Sequence, residues 1–108
     1  MYAYTPDNWV VIKIFGDKVH HRVLAGTSGG YLSGDSWKIN SGVVTVQQDG
    51  DYFLFKGASG SIYKCHKDAY CLRRNTAYIW REWQETYGDK VIMMPEDTNW
   101  TELDWSVV

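Results

Sequence analysis

Tyr63-Lys64-Cys65-His66-Lys67-Asp68-Ala69-Tyr70-Cys71 is the densest run of nucleophile, base, acid and cation in the 108-residue chain. A thiol and an imidazole become a nucleophilic pair only when they meet in space. Neighbours on a strand point to opposite faces, so Cys65 and His66 are badly placed to activate one another. Nor do Cys65, His66 and Cys71 carry the Cys-x-x-Cys spacing of a structural zinc site, which would need His20 or His21 as a further ligand. Gly26-Thr27-Ser28-Gly29-Gly30 fits the letters of a nucleophile elbow. That elbow belongs to a strand-turn-helix with an acid and a histidine beyond it in a large α/β fold, and strand-like residues follow here. We therefore expect no catalytic residue, no metal and no cofactor, and a protein that is not an enzyme.

Binding groups are better represented than reacting ones. Gly26-Thr27-Ser28-Gly29-Gly30-Tyr31 and Gly57-Ala58-Ser59-Gly60-Ser61-Ile62-Tyr63 echo one another, each following an apolar strand. Glycines at a strand end let backbone N–H groups form an anion-accepting concavity, and a serine hydroxyl adds a donor, so Ser28, Gly29, Ser59 and Gly60 are candidate phosphate contacts. Neither loop ends in the Gly-Lys-Ser/Thr of a nucleotide-binding P-loop. His20 and Arg22 share one strand face, with His21 on the other, and form a second candidate anion contact. Residues 56–81 hold six lysines and arginines against Asp68 alone, with Tyr63, Tyr70, Tyr78 and Trp80 interleaved. Cations among rings can grip a phosphate and stack a base, which adds Arg73, Arg74 and Tyr63 to the candidates. Residues 96–108 carry four carboxylates and no cation, so the tail either folds back to neutralise the basic segment or leaves it free for a ligand.

The formal net charge of −2 provides no basic field of the kind that attaches proteins to nucleic acid or anionic membrane. No apolar run approaches the roughly 20 residues of a membrane-spanning helix, and the start lacks a basic leader and an apolar signal core, so a cytosolic protein is expected. Two cysteines are too few for a disulfide scaffold, and Cys65 and Cys71 are expected as free thiols.

Such groups need a scaffold, and the length fits one domain, residues 1–108. Trp9 to Ile14 and Val19 to Ala25 are β-branched runs separated by Gly16-Asp17, which predicts a type II′ hairpin, with Val10, Ile12 and Ile14 on the core face. Asp49-Gly50 between Val43-Val46 and Tyr52-Phe55 predicts a second hairpin pairing 43–47 with 52–56. Six or seven short strands in sequence predict an α+β, mainly β fold, an antiparallel meander over about 9–66 or a small barrel. After Asn75 the period changes: Thr76, Ile79, Trp80, Trp83 and Tyr87 share one face of a helix over 76–87, capped by Asn75 and ended by Gly88. Lys90 to Met94 reads as a last strand stopped by Pro95, and Asn99 with Glu102 as the cap of a short turn bearing Trp100 and Trp105.

Tyr-Thr-Pro-Asp-Asn-Trp-Val-Val at 4–11, Ser-Gly-Gly-Tyr-Leu-Ser-Gly-Asp-Ser-Trp-Lys-Ile-Asn-Ser-Gly at 28–42 and Ser-Gly-Ser-Ile-Tyr-Lys-Cys-His-Lys at 59–67 resemble short uncharacterised proteins of tailed phages, notably of marine cyanobacteria. The resemblance implies a host-cytoplasmic phage protein, and by analogy an anti-defence one. The expected function is then a sponge, a homo-oligomer that sequesters a nucleotide-derived immune signal without turning it over. One alternative is a host-takeover module that binds a protein through exposed aromatics and the acidic tail around Trp100 and Trp105. Another is a small phosphodiesterase-like enzyme.

Overall fold

The computed structural model describes residues 3–27, 36–103 and 105. Among the described residues, eight strands, β1 Ala3–Tyr4, β2 Asn8–Phe15, β3 Val19–Thr27, β4 Ser36–Ile39, β5 Val43–Asp49, β6 Tyr52–Gly57, β7 Ile62–His66 and β8 Val91–Met93, accompany one α-helix, α1 Arg74–Tyr87. The fold is α+β, mainly β, as expected. The antiparallel chain of hairpins runs through two sheets, and among the described residues it closes no barrel. One sheet has the order β1-β7-β6-β5 and the other β4-β3-β2-β8. Only β1 departs from antiparallel pairing within them, lying parallel to β7.

Asn40 stands at the crossing between the sheets. Its N–H donates to the Val23 carbonyl at 3.2 Å, and its Oδ1 accepts the Val23 N–H at 2.9 Å. The side chain thus continues the β3–β4 ladder for one more rung while its backbone turns away toward β5. At the next hairpin Asp49 faces Tyr52, so the loop is Gly50-Asp51, one residue beyond the expected Asp49-Gly50. Gly50 has φ +60, the first-position requirement of a type II′ turn, which a side chain would resist. The first hairpin differs from expectation. Phe15 pairs with Val19 across a three-residue loop, Gly16 to Lys18, and Gly16 has no positive φ, so the type II′ turn is not formed there.

β2 is buried on both faces, which the alternation of aliphatics with Trp9, Val11 and Lys13 did not predict. Trp9, Val11, Val23 and Ala25 meet Val43, Phe55, Tyr63 and Cys65 between the sheets. Val10, Ile12, Leu24 and Val91 lie on the opposite face, under Ile79, Trp80 and Trp83 of α1. A run such as Trp-Val-Val-Ile is what a strand covered on both sides requires.

The helix begins two residues before the expected start. The Thr76 hydroxyl accepts the Arg73 N–H at 2.8 Å and the Asn8 amide at 3.1 Å, so a buried threonine does the work expected of Asn75. Gly88 ends the helix, its N–H reaching the Gln84 carbonyl. β8 then pairs antiparallel with β2 and runs into Pro95.

The tail folds back as a core element. Trp100 and Trp105 are 3% and 7% exposed, and Trp100 packs on Trp9, Phe55 and Tyr70 at ring separations of 5.5–6.0 Å. The expectation that these two rings present an interaction surface is thereby corrected. Seating two indoles satisfies far more apolar area than exposing them, and Trp105 Nε1 donates to the Trp100 carbonyl at 2.8 Å inside the core. Among the described residues, the tail carboxylates form no ion pair with the basic segment, where Lys67 instead pairs with Asp51 at 3.5 Å.

Candidate functional site

β3 carries His20 and Arg22 on one face, and the alternation of the strand turns His21 inward. Arg22 Nε donates to His20 Nε2 at 3.2 Å, and His20 Nδ1 lies 3.1 Å from the Lys18 carbonyl. Both contacts are satisfied by the neutral imidazole with its proton on Nδ1, so both ring nitrogens are engaged. His21 packs edge-on against Trp105 at 4.9 Å. Burial, then the charge of Lys13 and then His20, push its pKa below the ordinary value.

Two grooves meet at this pair. The first, about 380 Å³, lies between the β2–β3 hairpin and the C-terminal end of α1; His20, Arg22 and Lys90 supply its polar groups and Phe15, Trp83 and Tyr87 its rings. The second, about 490 Å³, lies on the other side, bounded by Gly16 to Lys18, Ser41, Gly42 and Ala58, and shares His20 and Arg22 with the first. Among the described residues, no carboxylate lies within ion-pair distance of Arg22 or Lys90. Lys90, just past the end of α1, offsets the negative end of the helix dipole, which would otherwise disfavour an anion there.

The other expected contacts separate. Ser59 and Gly60 stand near the second groove, because the Ser59 N–H donates to Ser41 Oγ at 3.0 Å. Tyr63 is 5% exposed in the inter-sheet core, where burial raises its pKa, followed by Tyr4 and Cys65. Arg73 is exposed at the N-terminal end of α1, and the helix of 14 residues sets it about 20 Å from the Tyr87 end. Arg74 starts the same helix, so its backbone belongs to that distant end. Ser28 and Gly29 lie outside the described residues, as does the test of whether the two echoed loops face one end. Sequence reasoning missed Lys90, Trp83 and Tyr87 as companions of Arg22, and Ser41 as companion of Ser59.

The densest chemical run separates as the strand period requires. Cys65 is fully buried, and desolvation holds its thiol well above the ordinary pKa, while His66 lies on the opposite face against Tyr52. Cys71 is an exposed free thiol. No described helix is long and apolar enough to cross a membrane. No family model, curated protein or solved structure matches the chain.

Proposed function

We propose that the protein binds a small anionic ligand carrying a flat ring, of the nucleotide-derived phosphorylated class, and holds it unaltered. The single observation that carries this reading is the first groove, where Arg22 and Lys90 stand beside Phe15, Trp83 and Tyr87. A planar base gains from stacking on accessible rings, and a phosphate gains from a guanidinium that can bind two oxygens at once. Binding without turnover fits a lining of rings, aliphatics and two cations, with a histidine whose two nitrogens are already engaged. The resemblance to short tailed-phage proteins supplies the setting. A phage protein with such a groove would withdraw a host nucleotide signal from its receptor.

The test is calorimetry of the full chain against cyclic dinucleotides, cyclic oligonucleotides and ADP-ribose derivatives. Heat release and chromatography of the bound fraction follow, with native mass for stoichiometry. One panel member should bind and return intact. Loss of one charge-assisted contact costs about 1.5–3 kcal/mol, so Arg22→Ala should weaken binding by roughly ten-fold to a hundred-fold. Recovery of a cleaved product would replace this reading with the phosphodiesterase-like one. Binding unaffected by both Arg22→Ala and Tyr87→Ala would remove the groove from consideration.

A further inference from the structure

Ser41, Ser59 and Ser61 gather where β4 passes into β5 and β6 into β7. Ser41 Oγ accepts the Ser59 N–H at 3.0 Å and donates to Ser59 Oγ at 3.2 Å, and Ser59 Oγ lies 3.3 Å from Ser61 Oγ. Backbone bonds hold the corner: the Ala58 N–H donates to the Gly42 carbonyl and the Gly57 N–H to the Ser61 carbonyl, both at 2.9 Å. Gly57 permits the convergence. A Cβ there would stand 2.9 Å from Ser41 Oγ, 3.5 Å from Ser61 Oγ and 3.6 Å from Asn40 Nδ2.

Asn40 is the independent observation. The residue is 2% exposed, and its Oδ1 is used by the Val23 N–H, but its buried Nδ2 has no hydrogen-bond partner among the described residues. That amide group lies beside the serines, on the same side of Gly57 as Ser41 Oγ. Buried donors are nearly always paired, so an unpaired one beside a hydroxyl cluster calls for an explanation, and an acceptor-rich group seated there is one. Ser41 and Ala58 line the second groove together with Lys18, Arg22 and Asp17, so its two cations outnumber its one carboxylate.

We propose that the serine corner, formed by Ser41, Ser59, Ser61 and the Asn40 amide, with Lys18 and Arg22 in the groove that Ser41 lines, is a binding site for a phosphate group. Hydroxyl and amide donors arriving from several directions suit a tetrahedral oxyanion better than a planar carboxylate. Arg22 lines both grooves, so a ligand can lay its ring against Trp83 and Tyr87 and pass its phosphate across the His20–Arg22 pair to the serines. Together with the groove reading, on which its ring half rests, this gives the ligand a direction and the class of a nucleoside phosphate ester.

The test is a nuclear magnetic resonance titration of the labelled full chain with inorganic phosphate, adenosine and AMP as three separate probes. Inorganic phosphate should move the Asn40 side-chain and Ser59 backbone resonances and leave the Trp83 indole in place. Adenosine should do the reverse, and AMP should move both sets. Ser41→Ala should weaken phosphate and AMP binding by about ten-fold while leaving adenosine unchanged. Gly57→Ala, whose methyl group displaces Ser41 Oγ, should do the same by a different route. Phosphate that moves neither Asn40 nor Ser59 overturns the proposal, as does AMP binding indifferent to both variants in folded protein. Failure of the groove reading looks different: AMP binding would then depend on Ser41 and be indifferent to Tyr87→Ala.

Discussion

Trp100→Ala tests whether the acidic tail is core or interaction surface. The indole is 3% exposed and touches rings from three other parts of the chain: Trp9 at 5.6 Å, Phe55 at 6.0 Å and Tyr70 at 5.5 Å. Removing a buried tryptophan costs about 3–5 kcal/mol, because transfer energy is lost and the surrounding side chains refill the space only in part. Domains of this size are stable by about 5–15 kcal/mol, so this one substitution should remove about a fifth of the total or more. At roughly 4–8 °C per kcal/mol, the melting temperature should fall by about 12 °C or more. The assay is thermal and urea denaturation followed by far-ultraviolet circular dichroism, since the substitution itself changes the fluorescence. Tyr87→Ala, at a ring 53% exposed, is the control and should stay within about 0.5 kcal/mol of the parent. A Trp100→Ala protein melting within about 2 °C of the parent would refute the core assignment and restore the tail as a docking element.

Further outcomes follow from three buried groups, His21, Tyr70 and Cys65. His21 is harder to protonate folded than unfolded, so between its depressed pKa and 6.5 the unfolded chain binds more protons; stability should fall as pH drops below about 6.5, and His21→Phe should lessen the loss seen in melts between pH 7.5 and 5. The Tyr70 hydroxyl accepts the Val11 N–H at 3.2 Å and donates to the Met94 carbonyl, bridging a rung at which the Met94 N–H also donates to the Val11 carbonyl. Tyr70→Phe should cost about 1–3 kcal/mol in urea denaturation, and an unchanged midpoint would mean that these bonds contribute nothing. Its pKa is pushed up to about 12, chiefly by burial, so the parent should also lose stability between pH 10 and 12 as the unfolded chain ionises first. A thiol reagent should modify Cys71 in the native protein and reach Cys65 only on denaturation; two equally fast thiols would contradict the burial of Cys65.

Elements fixed by short-range chemistry were legible in the sequence. The β5–β6 hairpin follows from a turn signal between two apolar runs, and α1 from a change of hydrophobic period, each within one or two residues of its observed place. What escaped depends on distant partners. β1 is two residues long and has no period of its own; it exists because Ala3 and Tyr4 find Ile62 and Tyr63 at the edge of β7. Where the chain passes from one sheet to the other the Asn40 side chain stands in for half of a backbone rung, and an Asn-Ser-Gly stretch reads from sequence only as a turn. Burial of β2 on both faces was written in Trp-Val-Val-Ile, but alternation was the wrong period for a strand covered by a sheet on one side and a helix on the other.

The candidate site shows which sequence signals survive folding. Strand parity survives: His20 and Arg22 were assigned to one face and are bonded to one another there. Linear clustering of charge does not. Lys90 joins Arg22 although it lies outside the basic segment, while Arg73, within that segment, sits at the far end of α1. The reason is geometric. A helix carries its charges 1.5 Å apart along an axis, so a basic run that includes a helix is spread over its length, whereas a strand hairpin and the end of a crossing helix can converge on one point. Tyr63 illustrates the same rule for rings. It belongs to the run richest in cations, yet strand alternation turns it, with Cys65, into the inter-sheet core, while Trp83 and Tyr87 lie toward the C-terminal end of α1 beside the groove. The proposed anion site of this chain accordingly lies where a strand's polar face passes under a helix end, and not where lysines and arginines are most numerous in the chain.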